Sequence, residues 1–199
     1  MKIIARGAEA DVYLTNIFGF KAILKDRKPK TYRVKELDEA IRTARTKSEA
    51  KATAISDSIG IRVPNILFVK RYSLYMSYIE GMQMSAVLRA KKKIGKRILS
   101  KIGKYLGILH ANSIIHGDFT PANILIDNID EPWVIDFGLA SVSTSIEDKA
   151  LDMLLMKRSL DASSYKAFIS GYAEKSKDYN AVMLRLAEIE KRGRYNERA

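Results

Sequence analysis

No cysteine occurs among the 199 residues. This excludes a disulfide frame and thiolate chemistry, and fits a reducing compartment. No apolar run approaches the roughly 20 residues that span a bilayer. The apolar stretch in Met1-Lys-Ile-Ile-Ala-Arg-Gly7 is too short for a secretory signal. A cytoplasmic protein without membrane association is therefore expected. No internal repeat and no low-complexity segment breaks the chain. Acidic residues are scarce: 23 Asp and Glu stand against 35 Lys and Arg, a net charge of +12, and none falls between Glu80 and Asp118. Such a balance points first to a nucleic-acid partner, a well-solvated surface being the alternative. What is present, 47% hydrophobic and 29% charged residues, suits a folded chain with a sizeable core, built as one compact unit or as two lobes.

The chemistry concentrates in residues 114–138. Asp118, Asn123 and Asp136 carry oxygen donors. Ile124–Asp127 and Trp133–Ile135 read as short buried strands, with Asn128-Ile-Asp-Glu-Pro132 as the turn between them. A hairpin brings its open ends together, so Asn123 and Asp136 are expected at one mouth with Asp118 nearby. Converging carboxylate and amide oxygens suit Mg2+, which takes one or two protein oxygens and leaves the rest to water and phosphate. The loop His116-Gly-Asp118-Phe-Thr-Pro-Ala-Asn123 resembles a kinase catalytic loop, and Asp136-Phe-Gly138 resembles the kinase metal-binding triplet. The resemblance implies that Asp118 orients the attacking hydroxyl and accepts its proton, while Asn123 and Asp136 hold Mg2+ on ATP.

The remaining parts follow in order. Strands are expected at Lys2–Ala5, Val12–Leu14 and Phe20–Lys25. Gly7-Ala8-Glu9-Ala10 occupies the place of a kinase glycine-rich loop, whose backbone N–H groups cradle phosphate, yet with one glycine it equally fits an ordinary hairpin turn. Lys25 is the best-placed lysine for the nucleotide phosphates; Lys21, Lys28 and Lys30 are its neighbours. A helix over Val34–Ile59 has Leu37, Ile41, Ala44, Ala52, Ile55 and Ile59 as its apolar positions. Glu49, near its middle, is the candidate partner of Lys25, the other possibility being a surface pair with Arg45. Asp38 reads as a helix-dipole acid. Gly60 closes the helix. Strands at Ile66–Lys70 and Ser73–Tyr78 lead to a break at Glu80-Gly81. In a kinase this break is the hinge, with Met76 as gatekeeper and Ser77 C=O and Ile79 N–H as adenine partners; a plain strand-to-helix loop with Met76 in the core has the same pattern.

Further on, helices are expected over Gln83–Ala90 and Lys91–Ala111. The polar face of the second is almost purely basic, through Arg89, Lys91–Lys93, Lys96, Arg97, Lys101 and Lys104. His110 reads as structural. Only residues 139–199 follow the metal triplet, with helices starting near Asp148, Ser163 and Tyr179 and a basic, mobile tail from Lys191. No Ala-Pro-Glu motif is present, and there is little room for a protein-substrate groove.

Gly-Ala-Glu-Ala10, Lys25-Asp-Arg-Lys-Pro-Lys-Thr-Tyr-Arg33, Leu37-Asp-Glu-Ala, Arg45-Thr-Lys-Ser-Glu49, Asp136-Phe-Gly-Leu-Ala and Glu147-Asp-Lys-Ala-Leu-Asp152, with the Lys-Arg-Gly-Arg tail, together resemble the small atypical Ser/Thr kinase/ATPase subunits of KEOPS complexes in their short archaeal form. The resemblance covers nearly the whole chain. It implies an α+β, two-lobed protein-kinase-like fold: a single domain over 1–199, with a small β-sheet lobe plus helix over 1–78 and a reduced, mainly helical lobe over 79–199. It implies ATP and Mg2+ as cofactors and assistance in making threonylcarbamoyladenosine on tRNA. The partners it implies are a sugar-kinase-like catalytic subunit and other small KEOPS subunits. Gly117 stands where kinases regulated by loop phosphorylation carry arginine, and Thr120 where Ser/Thr kinases often carry lysine, so ATP hydrolysis or autophosphorylation is favoured over transfer to another protein. Ser141, Ser143, Thr144 and Ser145 are candidate acceptors, or simply loop formers. A small-molecule phosphotransferase and an ATP-binding scaffold with negligible turnover are the alternative functions; the short basic C-terminus argues against the first, the intact set of Lys25, Glu49, Asp118, Asn123 and Asp136 against the second.

Overall fold

In a computed structural model the described backbone covers residues 1–196, with side chains through residue 192. The chain divides into two compact units. Met1–Glu80 and Ile135–Gly138 form the first, Gly81–Val134 and the residues from Leu139 onward the second.

The first unit is an antiparallel sheet and one helix. Strands β1 (Lys2–Arg6), β2 (Asp11–Ile17), β3 (Phe20–Asp26), β4 (Ile66–Val69) and β5 (Ser73–Ser77) are ordered β1-β2-β3-β5-β4. The central β3 pairs Lys25 with Val12 of β2 and with Leu74 of β5. Helix α1 (Lys35–Ser58) packs on β4 and β5.

The buried face of α1 is not the expected apolar stripe. Leu37 is exposed, and the buried positions are Asp38, Thr46, Glu49, Ala50, Thr53 and Ser56. The hydroxyls explain how such a face can be buried. Thr46, Thr53 and Ser56 each donate back to the carbonyl four residues earlier, at 2.8 Å, so no polar atom is stranded. Asp38 likewise does more than complement the dipole: its carboxylate accepts from Arg42 Nε at 2.6 Å and from the Lys30 backbone N–H at 3.2 Å.

The second unit begins with a strand that periodicity does not reveal, β6 (Gly81–Gln83), followed by α2 (Met84–Arg89) and α3 (Lys96–Ala111). The helix expected over Lys91–Ala111 therefore starts five residues late. The N–H groups of Lys91 and Lys92 close α2 on Leu88 O and Val87 O, at 2.9 and 3.2 Å, and Lys91 turns into the left-handed region at φ 53°. Residues 90–95 are thus a loop, and Ile94 matches the helical period by coincidence. Strands β7 (Ile114–Ile115), β8 (Ile124–Asp127), β9 (Pro132–Val134) and β10 (Ser141–Val142) form two small sheets, β6-β8-β9 and β10-β7.

Helices α4 (Ile146–Lys157), α5 (Ala162–Lys175) and α6 (Tyr179–Asn196) complete the unit. The tail expected from Lys191 continues α6 as far as Asn196; its last three residues lie outside the described ones. Helices α3 and α5 approach through glycines. A Cβ at Gly103 would sit 1.9 Å from Phe168 O, and one at Gly171 1.8 Å from Ser100 O. The core alongside holds Leu99, Ile102, Leu106, Phe119, Phe168 and Tyr172, all essentially inaccessible to solvent. Tyr165 stacks on Phe168 and His116 meets Phe119 edge-on.

Candidate active site

In the first unit four charged side chains form one cluster, buried except at Asp136. Lys25 Nζ lies 2.7 Å from Glu49 Oε1 and 2.6 Å from Asp136 Oδ1. Arg27 Nη2 lies 2.5 Å from Glu49 Oε2. Side chains two apart on an extended chain share a face, so Lys25 near the end of β3 and Arg27 just beyond it both reach Glu49 on α1. Two cations face two carboxylates, which is how such groups tolerate a buried position without an uncompensated charge. The Asp136 carboxylate keeps 46% of its side chain exposed, whereas Glu49 keeps 2%. Asp136 takes a left-handed backbone, φ 63°, and its Oδ1 also accepts the Gly138 N–H at 3.1 Å.

The other lysines are engaged elsewhere. Lys28 pairs with Asp11, whose carboxyl is held below the usual range chiefly by that hydrogen bond. Lys21 lies over the Tyr78 ring. Lys30 donates to Ala8 O. Arg45 pairs with Glu9 rather than with Glu49, and its hydrogen bond lowers the Glu9 pKa. Residues 7–10 form the β1–β2 turn, with the Gly7 N–H on Ala10 O at 3.0 Å. Met76 is half-buried in β5 opposite Ile23 and Ile66. Ser77 exchanges two hydrogen bonds with the Asn65 backbone, each 2.9 Å, and half-buried Ile79 lies beyond the strand.

In the second unit the loop from His116 to Asn123 hangs on a buried carboxylate. Asp152 of α4 accepts the His116 N–H at 2.8 Å and the Gly117 N–H at 2.9 Å. Gly117 has φ 80°, and a Cβ there would lie 2.5 Å from Leu139 O. The position demands glycine on both counts, which accounts physically for the missing arginine. Asn123 Nδ2 donates to the Asp118 carbonyl at 2.9 Å and to Asp118 Oδ2 at 2.8 Å. With its amide nitrogen so occupied, the Asn123 Oδ1 is left as the acceptor end. Ser143 Oγ donates to Asp148 at 2.6 Å, and Ser145 caps α4 through the Asp148 N–H. Ser141 and Thr144 are exposed.

The donor chemistry suits a hard cation only weakly held by protein. Among the described residues no group of three or more His, Asp or Glu could cage a metal. Asp136 in the first unit offers a carboxylate and Asn123 in the second an amide oxygen, each of the donor type that Mg2+ takes alongside water and phosphate oxygens. Two residues, one in each unit, are given no role by a reading of motifs. Arg27 is visible in the sequence only as a second cation two positions after Lys25. Asp152 is visible only as an acid at the end of Glu147-Asp-Lys-Ala-Leu-Asp152.

The RIO domain model matches residues 10–178. The chain belongs to the RIO-domain family. Among similar proteins, the KEOPS complex subunit Bud32 of Pyrococcus abyssi is 33% identical over 217 residues, spanning 100% of this chain and 98% of its own length. A probable bifunctional tRNA threonylcarbamoyladenosine biosynthesis protein of Methanosarcina mazei is 36% identical over 98% of this chain, which corresponds to 36% of that protein. One from Methanosphaera stadtmanae is 37% identical over 96% of the chain, again 36% of its own length. In fold, this RIO domain superimposes on the Rio2 kinase–ADP/Mg2+–phosphoaspartate complex from Chaetomium thermophilum with a TM-score of 0.66, over 98% of this chain and 72% of that one, at 17% identity. The α+β architecture is therefore protein-kinase-like.

Proposed function

We propose that this RIO domain is a Mg·ATP-dependent atypical kinase/ATPase that supports threonylcarbamoyladenosine formation on tRNA as a KEOPS subunit, in the cytoplasm and beside a sugar-kinase-like catalytic subunit. The relatives named above support the setting; the observation that carries the chemistry is Lys25 held between Glu49 and Asp136. Bound Mg·ATP would supply the phosphoryl group and the charge neutralisation that its transfer needs. Lys25 contacts the nucleotide phosphates, and Glu49 fixes its position. Asp136 and Asn123 hold Mg2+. Asp118, kept in place by Asn123, orients the attacking hydroxyl or water and accepts its proton. The residues 7–10 turn offers backbone N–H groups to the phosphates, and Met76, Ser77 and Ile79 line the adenine end. The exposed Ser141 and Thr144 are better acceptors for autophosphorylation than Ser143 and Ser145, whose hydroxyls already serve α4.

Single-turnover assays with labelled ATP test this reading, run with and without Mg2+, tRNA and the partner subunit. Mg2+-dependent release or transfer of phosphate that disappears in Lys25→Ala is expected. Turnover indifferent to Mg2+, or retained in Lys25→Ala, would overturn it.

A further inference from the structure

The basic residues between Arg89 and Lys104 separate into two sets. Arg97 and Lys101 both pair with Glu131, and Lys104 pairs with Glu174. Lys91, Lys92, Lys93 and Lys96 are exposed and make no ion pair among the described residues. These four line one side of a cleft of about 670 Å³ between the α2–α3 loop and the start of α5. The acid on its wall is Asp161, whose two carboxylate oxygens are already taken by the N–H and hydroxyl of Ser164, each at 2.9 Å. The 16-residue α3 also starts at the cleft, from Gly95 with no side-chain cap and no acid in its first turn. Lysines gathered at the positive end of a helix repel it and one another. An anion bound there would relieve that repulsion.

We infer that this cleft is an RNA-docking surface on which Lys91, Lys92, Lys93 and Lys96 seat consecutive phosphates of the tRNA backbone. The inference rests on the tRNA reading proposed above and adds the place where the RNA is held. Phosphodiester is the fitting partner because the cations are adjacent lysines, which bind phosphate as point charges and carry no base readout. Recognition here is by charge and backbone shape, so unrelated tRNAs bind alike.

The full chain is titrated with tRNA at several salt concentrations, as wild type, as Lys92→Glu/Lys93→Glu, and as a charge-matched Lys47→Glu/Lys51→Glu control on the exposed side of α1. Each phosphate no longer neutralised lowers the slope of log K against log salt by about 0.7–0.9. Releasing two phosphates thus weakens binding roughly 25- to 60-fold at 0.1 M salt relative to 1 M, with the control changed far less and both variants melting like wild type. In a second readout, bound tRNA should shield Lys91, Lys92, Lys93 and Lys96 from amine acetylation, scored residue by residue by mass spectrometry. Wild-type binding with an unchanged affinity and slope in Lys92→Glu/Lys93→Glu, or equal acetylation with and without tRNA, overturns the cleft while leaving the tRNA reading standing. No tRNA binding by the wild type at low salt, alone or with the partner subunit, overturns both.

Discussion

Arg27 and Glu49 form a buried ion pair, guanidinium to carboxylate at 2.5 Å, on the carboxylate oxygen that Lys25 does not use. Glu49 is thereby given two cations. If Lys25 turns to nucleotide phosphates, Arg27 still balances the Glu49 charge, so the helix position of Glu49 does not depend on whether nucleotide is bound. Arg27→Met is expected to destabilise the fold by about 3 kcal/mol, the lower end for a broken buried pair because Lys25 remains, and to slow ATP turnover. Arg27→Lys should recover part of both. Denaturant unfolding and single-turnover rates measure the two effects, and a Glu49→Gln cycle gives their coupling. Full stability and activity in Arg27→Met would remove Arg27 from the site.

The two aspartates should fail differently. Asp136→Asn removes the charge of the proposed metal ligand and is expected to abolish Mg2+-dependent turnover while the fold persists. Asp118→Asn keeps the hydrogen-bonding shape that Asn123 reads, so nucleotide affinity should hold. The chemical step should slow by roughly 10²–10⁴ for a lost general base. Nucleotide affinity and single-turnover rate are measured for each variant; an undiminished rate in Asp118→Asn would contradict its role.

Most of the frame is legible in the sequence because strand alternation, the long α1 and the hairpin β8–β9 have strong local signals. Lys25, Glu49, Asp118, Asn123 and Asp136 are candidates by their place in the kinase-like motifs, and of these the structure joins Lys25 to Glu49 and Asp136, and Asn123 to Asp118. What escapes depends on tertiary context. The α1 stripe misleads because the face that is buried carries Thr46, Thr53 and Ser56, which satisfy themselves against their own helix and so look polar in a periodicity count. Arg27 and Asp152 lie inside stretches that carry the family resemblance, yet nothing in the sequence gives them a role, because only folding brings them to Glu49 and to the His116-Gly117 backbone. The loop at 90–95 hides behind an apolar Ile94 in helical phase.

Asp152 should be the most damaging single carboxylate in the second unit. It is 1% exposed and accepts two backbone N–H groups from the loop carrying Asp118. Asp152→Asn replaces one acceptor oxygen by an amide donor facing an N–H. A buried donor left unpaired costs about 1–3 kcal/mol, and the loop loses its anchor. The expected outcome is a lower melting temperature together with a turnover loss that approaches that of Asp118→Asn. Gly117→Ala should act in the same direction, because its Cβ would strike Leu139 O and its backbone is left-handed. A variant that melts lower yet turns over ATP normally would mean that the anchor serves stability alone.

His110 is expected to make the fold sensitive to mild acid. Its ring is 1% exposed, with Nδ1 2.9 Å from the Tyr172 hydroxyl and Nε2 3.3 Å from Asp152. Burial pushes its pKa below the ordinary value, and the opposing hydrogen bond that its ring donates to Asp152 does not restore it. The Tyr172 hydroxyl, pushed up to about 12 by its own burial, stays protonated and can donate to Nδ1. A neutral imidazole carrying its proton on Nε2 satisfies both neighbours. The linkage follows from the sign of the shift. Below about pH 6.5 the unfolded chain protonates this histidine and the folded chain does not. Stability is therefore complete above that pH and falls by up to about 1.4 kcal/mol per unit as pH drops towards the folded pKa. Melting temperatures from pH 7.5 to 5.5 should decline in the wild type and decline less in His110→Gln. His116→Asn, the change at the other histidine of the chain, gives the background. An equal decline in wild type and His110→Gln would assign the acid sensitivity to other groups.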